Sequence, residues 1–155
     1  MNHTYPEQRT KKSLLILLAD DDADGRVLAR EALRESKLNV ELSTVENGEE
    51  LLNYLLHKNL YADKIKFPDP DIILLDLNMP RIDGRQALHE IKTNTQLKHI
   101  PVVMLTTSTA AEDIAHTYKL GVNSYIAKPI NFHSLVNVMK TLCNYWFDVV
   151  ELPSK

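Results

Sequence analysis

The sequence predicts an α/β fold with a doubly wound, five-stranded parallel sheet, and three observations support it. Short aliphatic runs alternate with segments of helical period along the chain, as expected for successive β-then-α units. The runs are continuous rather than alternating, as in parallel strands that are buried on both faces. Because crossovers between parallel strands are right-handed, successive helices should cover both faces of the sheet.

Five runs are predicted to be strands because each is short, apolar and rich in Leu, Ile or Val. The clearest is the third, in which four aliphatic residues stand between Asp71 and Asp76. The predicted strands cover residues 14–19, 40–45, 72–77, 101–106 and 122–127.

The segments between these runs are predicted to be helices. In the last of them, Phe132, Leu135, Met139 and Leu142 follow the three-then-four spacing of a face that packs on a sheet. The predicted helices cover residues 24–36, 48–57, 84–93, 111–120 and 131–147.

The chain is predicted to form one domain over residues 13–150, with an N-terminal arm at 1–12 and a C-terminal tail at 151–155. Its 155 residues can bury a self-sufficient core, and no repeat or glycine-rich linker divides them. Residues 57–70 lack a clear period and form a loop longer than usual. This loop is either a tolerated surface insertion or a functional segment, and Tyr61 and Phe67 are the residues to test.

Composition narrows the class of protein. A net charge of −3 argues against binding nucleic acid through bulk electrostatics. The apolar run at residues 14–19 is too short for a signal sequence or a membrane span. The single cysteine, Cys143, excludes an intramolecular disulfide framework and fits a reducing compartment. The six histidines show no zinc-binding spacing and are expected on the surface. We therefore expect a cytoplasmic protein with no direct nucleic-acid or membrane partner.

Polar side chains stand where four of the predicted strands end. Asp20 and Asp21 follow the first strand, Asp76 stands at the end of the third, Thr106 ends the fourth and Lys128 follows the fifth. The carboxyl ends of parallel strands lie at one edge of the sheet, where ligands bind. Three carboxylates, a hydroxyl and an ammonium group are therefore expected to converge.

The residue types at this edge suit phosphoryl transfer to a carboxylate. Clustered carboxylates repel, and a hard divalent cation such as Mg²⁺ relieves the repulsion. Asp21 and Asp76 are predicted to bind it directly, Asp20 through a water, and Asn78 through its backbone carbonyl. Asp76 would attack phosphorus and form an acyl phosphate. Lys128 would place a positive charge on one phosphate oxygen, and Thr106 would donate to another by moving inward.

Four motifs resemble the receiver domains of two-component response regulators, over nearly the whole chain. They are ILLADDD at 16–22, DIILLDLNMPRIDG at 71–84, IPVVMLTTS at 100–108 and GVNSYIAKPI at 121–130. The resemblance implies the CheY-like, flavodoxin-like (βα)5 receiver fold. It also implies that Asp76 accepts phosphate from a kinase phosphohistidine. Asp20 and Asp21 are then the acidic pair, and Thr106 and Lys128 the switch hydroxyl and lysine.

The resemblance also implies how the protein switches. Tyr125 would move from an exposed position into space vacated by Thr106, which changes the surface made by the fourth helix, fifth strand and fifth helix. The family usually has a cis bond at the position of Pro129. Asn78 and Ser108 stand where relatives tune hydrolysis of the acyl phosphate. Asp22 adds a charge where many relatives are neutral, which either tightens or crowds the metal site.

The long loop, the phrase LTTSTAAEDIAHTYKLGVNSYIAKP and the tail NYWFDVVELP most resemble stand-alone regulators that partner bacterial phytochrome-type histidine kinases. The resemblance implies a single-domain regulator with no output domain, whose partners are a sensor kinase and a downstream protein or phosphotransfer protein. Kinase choice is expected on the first helix. The chain would be a phosphoacceptor and switch that catalyses only its own phosphorylation and dephosphorylation, not an enzyme acting on other substrates.

Two other classes of function are weaker. A phosphohydrolase that passes through an aspartyl phosphate needs a second Asp two residues after the nucleophile, where this chain has Asn78. A pseudo-receiver would lack the carboxylates or the lysine.

The C-terminal segment carries more apolar residues than one helix face can bury. We expect a homodimer contact there, with packing inside one chain as the alternative. The residues concerned are Tyr145, Trp146, Phe147, Val149 and Val150.

Overall fold

The structure, a computed structural model that describes residues 13–153, is built around one five-stranded sheet. All neighbouring strands are parallel, and their order is β2-β1-β3-β4-β5. The doubly wound parallel fold is therefore confirmed. The chain moves from β1 to one side and then returns past it to β3, so the strand order reverses at β1. The strands are β1 (Leu14–Ala19), β2 (Val40–Val45), β3 (Ile72–Leu75), β4 (Val102–Thr106) and β5 (Ser124–Ala127).

Within the described residues, five α-helices connect and follow the strands, and four of them begin at a side-chain cap. Asp22, Asn47, Asp83 and Asn131 each accept a hydrogen bond from a backbone N–H in the first turn, which satisfies a donor that has no partner within the helix. The helices are α1 (Ala23–Ser36), α2 (Gly48–Leu55), α3 (Gly84–Thr93), α4 (Ala111–Lys119) and α5 (Phe132–Cys143).

The sheet separates two hydrophobic clusters. On β1, Leu17 faces the cluster under α2 and α3, while Leu18 faces the cluster under α1 and α5. This alternation follows from the two-residue period of a strand. Both clusters are almost fully shielded from solvent. Continuous aliphatic runs were needed because each strand supplies both clusters.

Residues 57–70 form an ordered insertion with a short 3-10 turn at Asn59–Tyr61. Tyr61 and Phe67 pack against Tyr54 of α2 and against each other, with ring centroids 5.0 to 5.8 Å apart. The Tyr54 hydroxyl donates to the carbonyl of Pro68 at 2.9 Å. We call Tyr54, Tyr61 and Phe67 the aromatic cluster; it joins the insertion to the core.

His57 is not a surface residue, contrary to expectation. Its side chain is 11% exposed, and Nε2 lies 2.7 Å from Asp69 Oδ1. Nδ1 lies 3.2 Å from the carbonyl oxygen of Tyr61. The turn that starts the insertion folds this imidazole inward, because both its nitrogens find partners there.

The predicted last helix is an α-helix only to Cys143 and continues as a π-helix over Asn144–Val149. Trp146, Phe147 and Leu152 pack against the cluster under α1 and α5. Packing within the chain therefore accounts for part of the apolar excess. Tyr145 and Val149 remain 52% and 69% exposed.

The predicted arm at residues 1–12 lies outside the described residues. Within residues 13–153, none of the helices has both the length and the apolar character that crossing a membrane requires.

Candidate functional site

The carboxyl edge of the sheet brings the predicted polar residues together. Backbone hydrogen bonds extend the strand pairing into the residues that follow each strand. Asp76 N donates to Ala19 O at 3.0 Å, and Lys128 N donates to Thr106 O at 2.7 Å. The residues that follow β1, β3 and β5 are therefore held side by side with the end of β4.

Asp20, Asp21 and Asp76 form a carboxylate cluster. They offer one oxygen each, and these oxygens lie within 4.8 Å of one another. Asp20 and Asp76 are buried, whereas Asp21 is exposed. An all-oxygen set with one side open to solvent fits a hard divalent cation that keeps several waters. Asn78 is exposed at the adjoining turn, and its predicted role as a carbonyl ligand stays a prediction.

Asp20 is held by three other groups. Lys128 Nζ lies 2.7 Å from Asp20 Oδ2, and the N–H of Asp22 donates to Asp20 Oδ1 at 2.9 Å. The guanidinium of Arg26 donates to the backbone carbonyl of Asp20 at 2.7 Å. Lys128 was predicted on the phosphate and here pairs with a carboxylate that is 2% exposed. Arg26 was not predicted; a cation in the second turn of the helix after the acidic pair was the available signal.

Asp22, whose charge many relatives lack, has a structural role at the start of α1. It caps α1, and its Oδ1 accepts from Asp24 N at 3.1 Å. Its side chain is exposed and lies outside the carboxylate cluster. The Asp22 carboxylate is therefore not one of the oxygens that converge in the cluster.

Asp76 is an ionisable group whose charged form is poorly compensated. Burial raises its pKa above the ordinary value, and the neighbouring Asp20 carboxylate raises it further. The Thr106 hydroxyl, Lys128 and the N–H of Leu77 oppose this shift. An added positive charge near Asp76 would therefore stabilise its ionised form.

Thr106 places a buried hydroxyl group next to Asp76. The residue is fully buried, and Oγ1 makes no hydrogen bond within the described part of the chain. It nevertheless lies close enough to the Asp76 carboxylate to lower its pKa. Buried polar atoms without partners are rare, so this hydroxyl is suited to a ligand at Asp76.

Tyr125 is not in the exposed position that was expected. Its ring is half-buried against the cluster under α2 and α3. Its hydroxyl donates to the carbonyl of Ser108 at 2.9 Å. The inward position gives the ring an apolar environment and the hydroxyl an acceptor.

The expected cis bond before Pro129 is also absent, because residues 13–153 contain no cis peptide bond. The trans form is the lower-energy isomer of an X–Pro bond. With it, Lys128 already reaches Asp20.

Gly84 was predicted only as the first residue of a helix, but it also contacts the turn that follows Asp76. A Cβ atom here would lie 2.2 Å from the carbonyl oxygen of Asp76. The N–H of Gly84 donates to Leu77 O at 2.7 Å. The first residue of α3 is therefore packed directly on the turn that follows Asp76.

Comparison with known proteins identifies relatives of this arrangement. Residues 16–140 match the family described as "Response regulator receiver domain". The chain is 36% identical over 148 residues to response regulator Rcp1 of Synechocystis sp., covering 96% of this chain and 98% of that protein.

Solved structures show the same likeness. The phosphorylated cyanobacterial phytochrome response regulator RcpA superposes with a TM-score of 0.84 at 42% identity, covering 92% of this chain and 99% of that one. The Mn²⁺-bound form of Rcp1 superposes with a TM-score of 0.81 at 38% identity, covering 91% and 99%. Both share this chain's fold.

Proposed function

This chain belongs to the family of response regulator receiver domains, and we propose that it is a Mg²⁺-dependent phosphoacceptor switched by phosphorylation of Asp76. The observation that carries the proposal is the convergence of the Asp20, Asp21 and Asp76 carboxylates beside Lys128 and the buried Thr106 hydroxyl, which makes no hydrogen bond within the described residues. A phosphoryl group on Asp76 would supply acceptors for that hydroxyl and for Lys128.

The proposed reaction is a displacement at phosphorus. An oxygen of Asp76 attacks the phosphorus of a kinase phosphohistidine, and the P–N bond breaks. The histidine keeps the electron pair and takes up a proton. Asp76 is left as an acyl phosphate, so the chain acts on itself and turns over no other substrate.

Asp20, Asp21 and Asp76 are the residues proposed to hold Mg²⁺, together with the carbonyl of Asn78. Bound there, the ion would neutralise charge on the phosphoryl oxygens. The Mn²⁺ in the Rcp1 structure belongs to that protein. It supports a divalent ion here because carboxylate oxygens suit both Mn²⁺ and Mg²⁺.

Lys128 is proposed to change partners. In the structure it pairs with Asp20 at 2.7 Å, and its flexible ammonium can reach toward an acyl phosphate on Asp76. Thr106 would donate to another phosphoryl oxygen. Together these two residues, with Tyr125 and Pro129 beside them, would report the modification to the surface of α4, β5 and α5.

The kinase is proposed to dock on the apolar rim beside the site. Val27 and Leu28 of α1 are 59% and 46% exposed, and Phe132 at the start of α5 is 40% exposed. Ile130, in the loop between β5 and α5, is fully exposed. A contiguous exposed apolar patch marks a protein contact. Three members of this patch line a small cleft together with Asp20 and Lys128; they are Leu28, Ile130 and Phe132.

The names of the relatives suggest the type of kinase. RcpA is a cyanobacterial phytochrome response regulator, and another similar structure is response regulator RPA3017 in red light signalling of R. palustris, at 32% identity and a TM-score of 0.87. We propose a phytochrome-type sensor histidine kinase as the phosphodonor. The downstream partner is proposed to be a protein or a phosphotransfer protein, reached in the cytoplasm without nucleic acid or membrane.

A homodimer contact is proposed at the exposed part of the C-terminal segment. Tyr145 and Val149 stay in solvent although Trp146 and Phe147 are packed. Tyr145 also lines an apolar groove of about 730 Å³ beside β5, which is an edge strand. A second copy would cover both features.

Intact-mass analysis after incubation with Mg²⁺ and a small acyl phosphate tests the phosphoacceptor proposal. The wild type should gain one phosphoryl group, and Asp76→Asn none. Asp24→Asn, which removes an exposed carboxylate outside the cluster, is the matched control and should gain one. A wild type that never gains the mass would overturn the proposal and favour an interaction module.

Gel filtration with light scattering, with and without phosphodonor, tests the dimer. Tyr145→Ser should weaken association, whereas Leu60→Ser, at an 81% exposed position in the insertion, should not. A wild type that stays monomeric at high concentration under both conditions removes the dimer proposal.

A further inference from the structure

A charged bridge joins α3, α4 and the loop between β4 and α4. Arg85 donates to Asp113 Oδ1 at 2.6 Å. Ser108 Oγ donates to the other carboxylate oxygen, also at 2.6 Å. We call Arg85, Asp113 and Ser108 the α3–α4 bridge. One carboxylate thus connects a residue of α3 with a residue of the loop that follows β4.

The bridge is partly shielded from solvent. The side chains of Arg85 and Asp113 are only 32% and 21% exposed. The Ser108 hydroxyl and then Arg85 lower the pKa of Asp113 below its ordinary value, as expected when a carboxylate accepts charge-assisted hydrogen bonds. The carboxylate is therefore ionised at neutral pH, where both donors hold it.

The bridge also takes the place of the side-chain cap that is missing at the start of α4. Ala110 stands at the cap position of α4 and provides no side-chain hydrogen bond. Ser108 Oγ accepts from Ala110 N at 3.3 Å. The same hydroxyl donates to Asp113, in the first turn of α4. The start of α4 is thus positioned through Ser108 and Asp113.

The bridge connects the turn after Asp76 with the residue that contacts Tyr125. Arg85 directly follows Gly84, which packs on the turn after Asp76. At the other end, the carbonyl of Ser108 accepts the hydroxyl of Tyr125 at 2.9 Å. This route runs from Asp76 to Tyr125 without passing through Thr106.

We propose that Arg85 and Asp113 are positioning residues that hold the β4–α4 loop so that Ser108 captures Tyr125, coupling the turn after Asp76 to α4. This inference rests on the proposed function and assigns a regulatory role to two residues outside the phosphoacceptor site. Without the bridge, the loop loses its tie to α3. The Ser108 carbonyl then moves away from Tyr125, whose ring returns toward solvent.

Fluorine NMR of protein labelled with 3-fluorotyrosine tests the proposal, with the Tyr125 resonance assigned by its absence in Tyr125→Phe. The variants are Arg85→Gln, Asp113→Asn and their combination. The matched control is Arg81→Gln, which breaks an ion pair of similar length, 2.7 Å between Arg81 and Glu49, on a neighbouring surface. The resonance of buried Tyr54 reports whether each variant remains folded.

Both single variants should shift the Tyr125 resonance toward that of an exposed tyrosine, with a roughly three- to tenfold fall in the inward population. The double variant should shift it no further than either single one, because the two residues act as one unit. Arg85→Lys keeps the positive charge, so its Tyr125 resonance should lie between those of the wild type and Arg85→Gln. Arg81→Gln should leave the Tyr125 resonance at its wild-type position. Phosphorylation of Asp76, measured by intact mass, should stay within about twofold of wild type, since the bridge touches no reacting atom.

A wild-type Tyr125 resonance in both single variants, with Tyr54 unchanged, would overturn the proposal. An equal shift in Arg81→Gln would also overturn it, because any lost surface ion pair would then suffice. Failure of the wild type to gain phosphate would overturn the proposed function instead, so the two failures are distinguishable.

Discussion

The carboxyl edge of the sheet and the aromatic cluster of the insertion are both partly buried and polar, yet they satisfy their polar groups differently. In the insertion, the Tyr54 hydroxyl and both nitrogens of His57 have partners. At the carboxyl edge, the Thr106 hydroxyl has none within the described residues, and the pKa of Asp76 is raised by burial. Satisfied polar groups hold the insertion together, whereas unsatisfied ones stand where a ligand would complete them.

The comparison predicts that damage to the aromatic cluster, which joins the insertion to α2, lowers stability while leaving phosphorylation of Asp76 unchanged. Tyr54→Ala removes a ring that is 1% exposed and touches both other rings of the aromatic cluster. We expect a loss of about 3–5 kcal/mol in the free energy of unfolding, measured by urea denaturation. Tyr118→Ala, at a 49% exposed position, is the control and should cost far less. A Tyr54→Ala protein as stable as wild type would remove the structural role of the cluster.

Substitution at the carboxyl edge should instead slow phosphorylation of Asp76. Lys128→Ala should slow phosphorylation of Asp76 roughly 10²-fold, because a cation that meets the developing charge is lost. The time course of phosphate gain by intact mass measures this. Mg²⁺ binding by calorimetry should persist, since Asp20, Asp21 and Asp76 remain.

Lys119→Ala, at an exposed position of α4, serves as the control for loss of a lysine charge. A Lys128→Ala protein that is phosphorylated at the wild-type rate and switches normally would contradict the role given to Lys128.

The raised pKa of Asp76 predicts that this residue costs stability in the absence of Mg²⁺. In the folded protein the carboxyl group holds its proton to higher pH than in the unfolded chain. Its favourable contribution is complete below the unfolded pKa and is lost as the pH rises through the folded pKa. Asp76→Asn stays neutral, so it should be more stable than wild type at pH 7, by about 0.5–2 kcal/mol.

Urea denaturation with a chelator, repeated at falling pH, measures this gain. The difference between the two proteins should shrink as the pH approaches the unfolded pKa, and Mg²⁺ should narrow it at pH 7 by stabilising the wild type. An Asp76→Asn protein less stable than wild type at pH 7 without Mg²⁺ would show that the carboxylate is well compensated.

The smallest effect is expected at His57. His57→Gln can keep only part of the contact with Asp69 and the carbonyl of Tyr61. A loss of about 1 kcal/mol in the free energy of unfolding is expected, with the phosphorylation rate unchanged. A changed rate at unaltered stability would mean that the insertion takes part in the chemistry.

Much of the fold could be predicted because its signals are local. The predicted bounds of β1, β2 and α3 agree with the structure, since a continuous aliphatic run and a capping Asp83 each act within a few residues. The π-helical end of the last helix carries no comparable signal. The convergence of Asp20, Asp21 and Asp76 also followed from sequence, because parallel strands must end at one edge.

The sequence by itself determined the strand and helix layout, the family, and which residue types meet at the carboxyl edge. Only the tertiary structure decided which of those groups pair. The Lys128–Asp20 contact spans 108 positions and the Arg85–Asp113 contact spans 28. Such pairs depend on how helices and loops pack, and so do the inward positions of Tyr125 and His57. Periodicity records which face of an element is buried, but the partner of a single polar atom is set by the packing of distant segments.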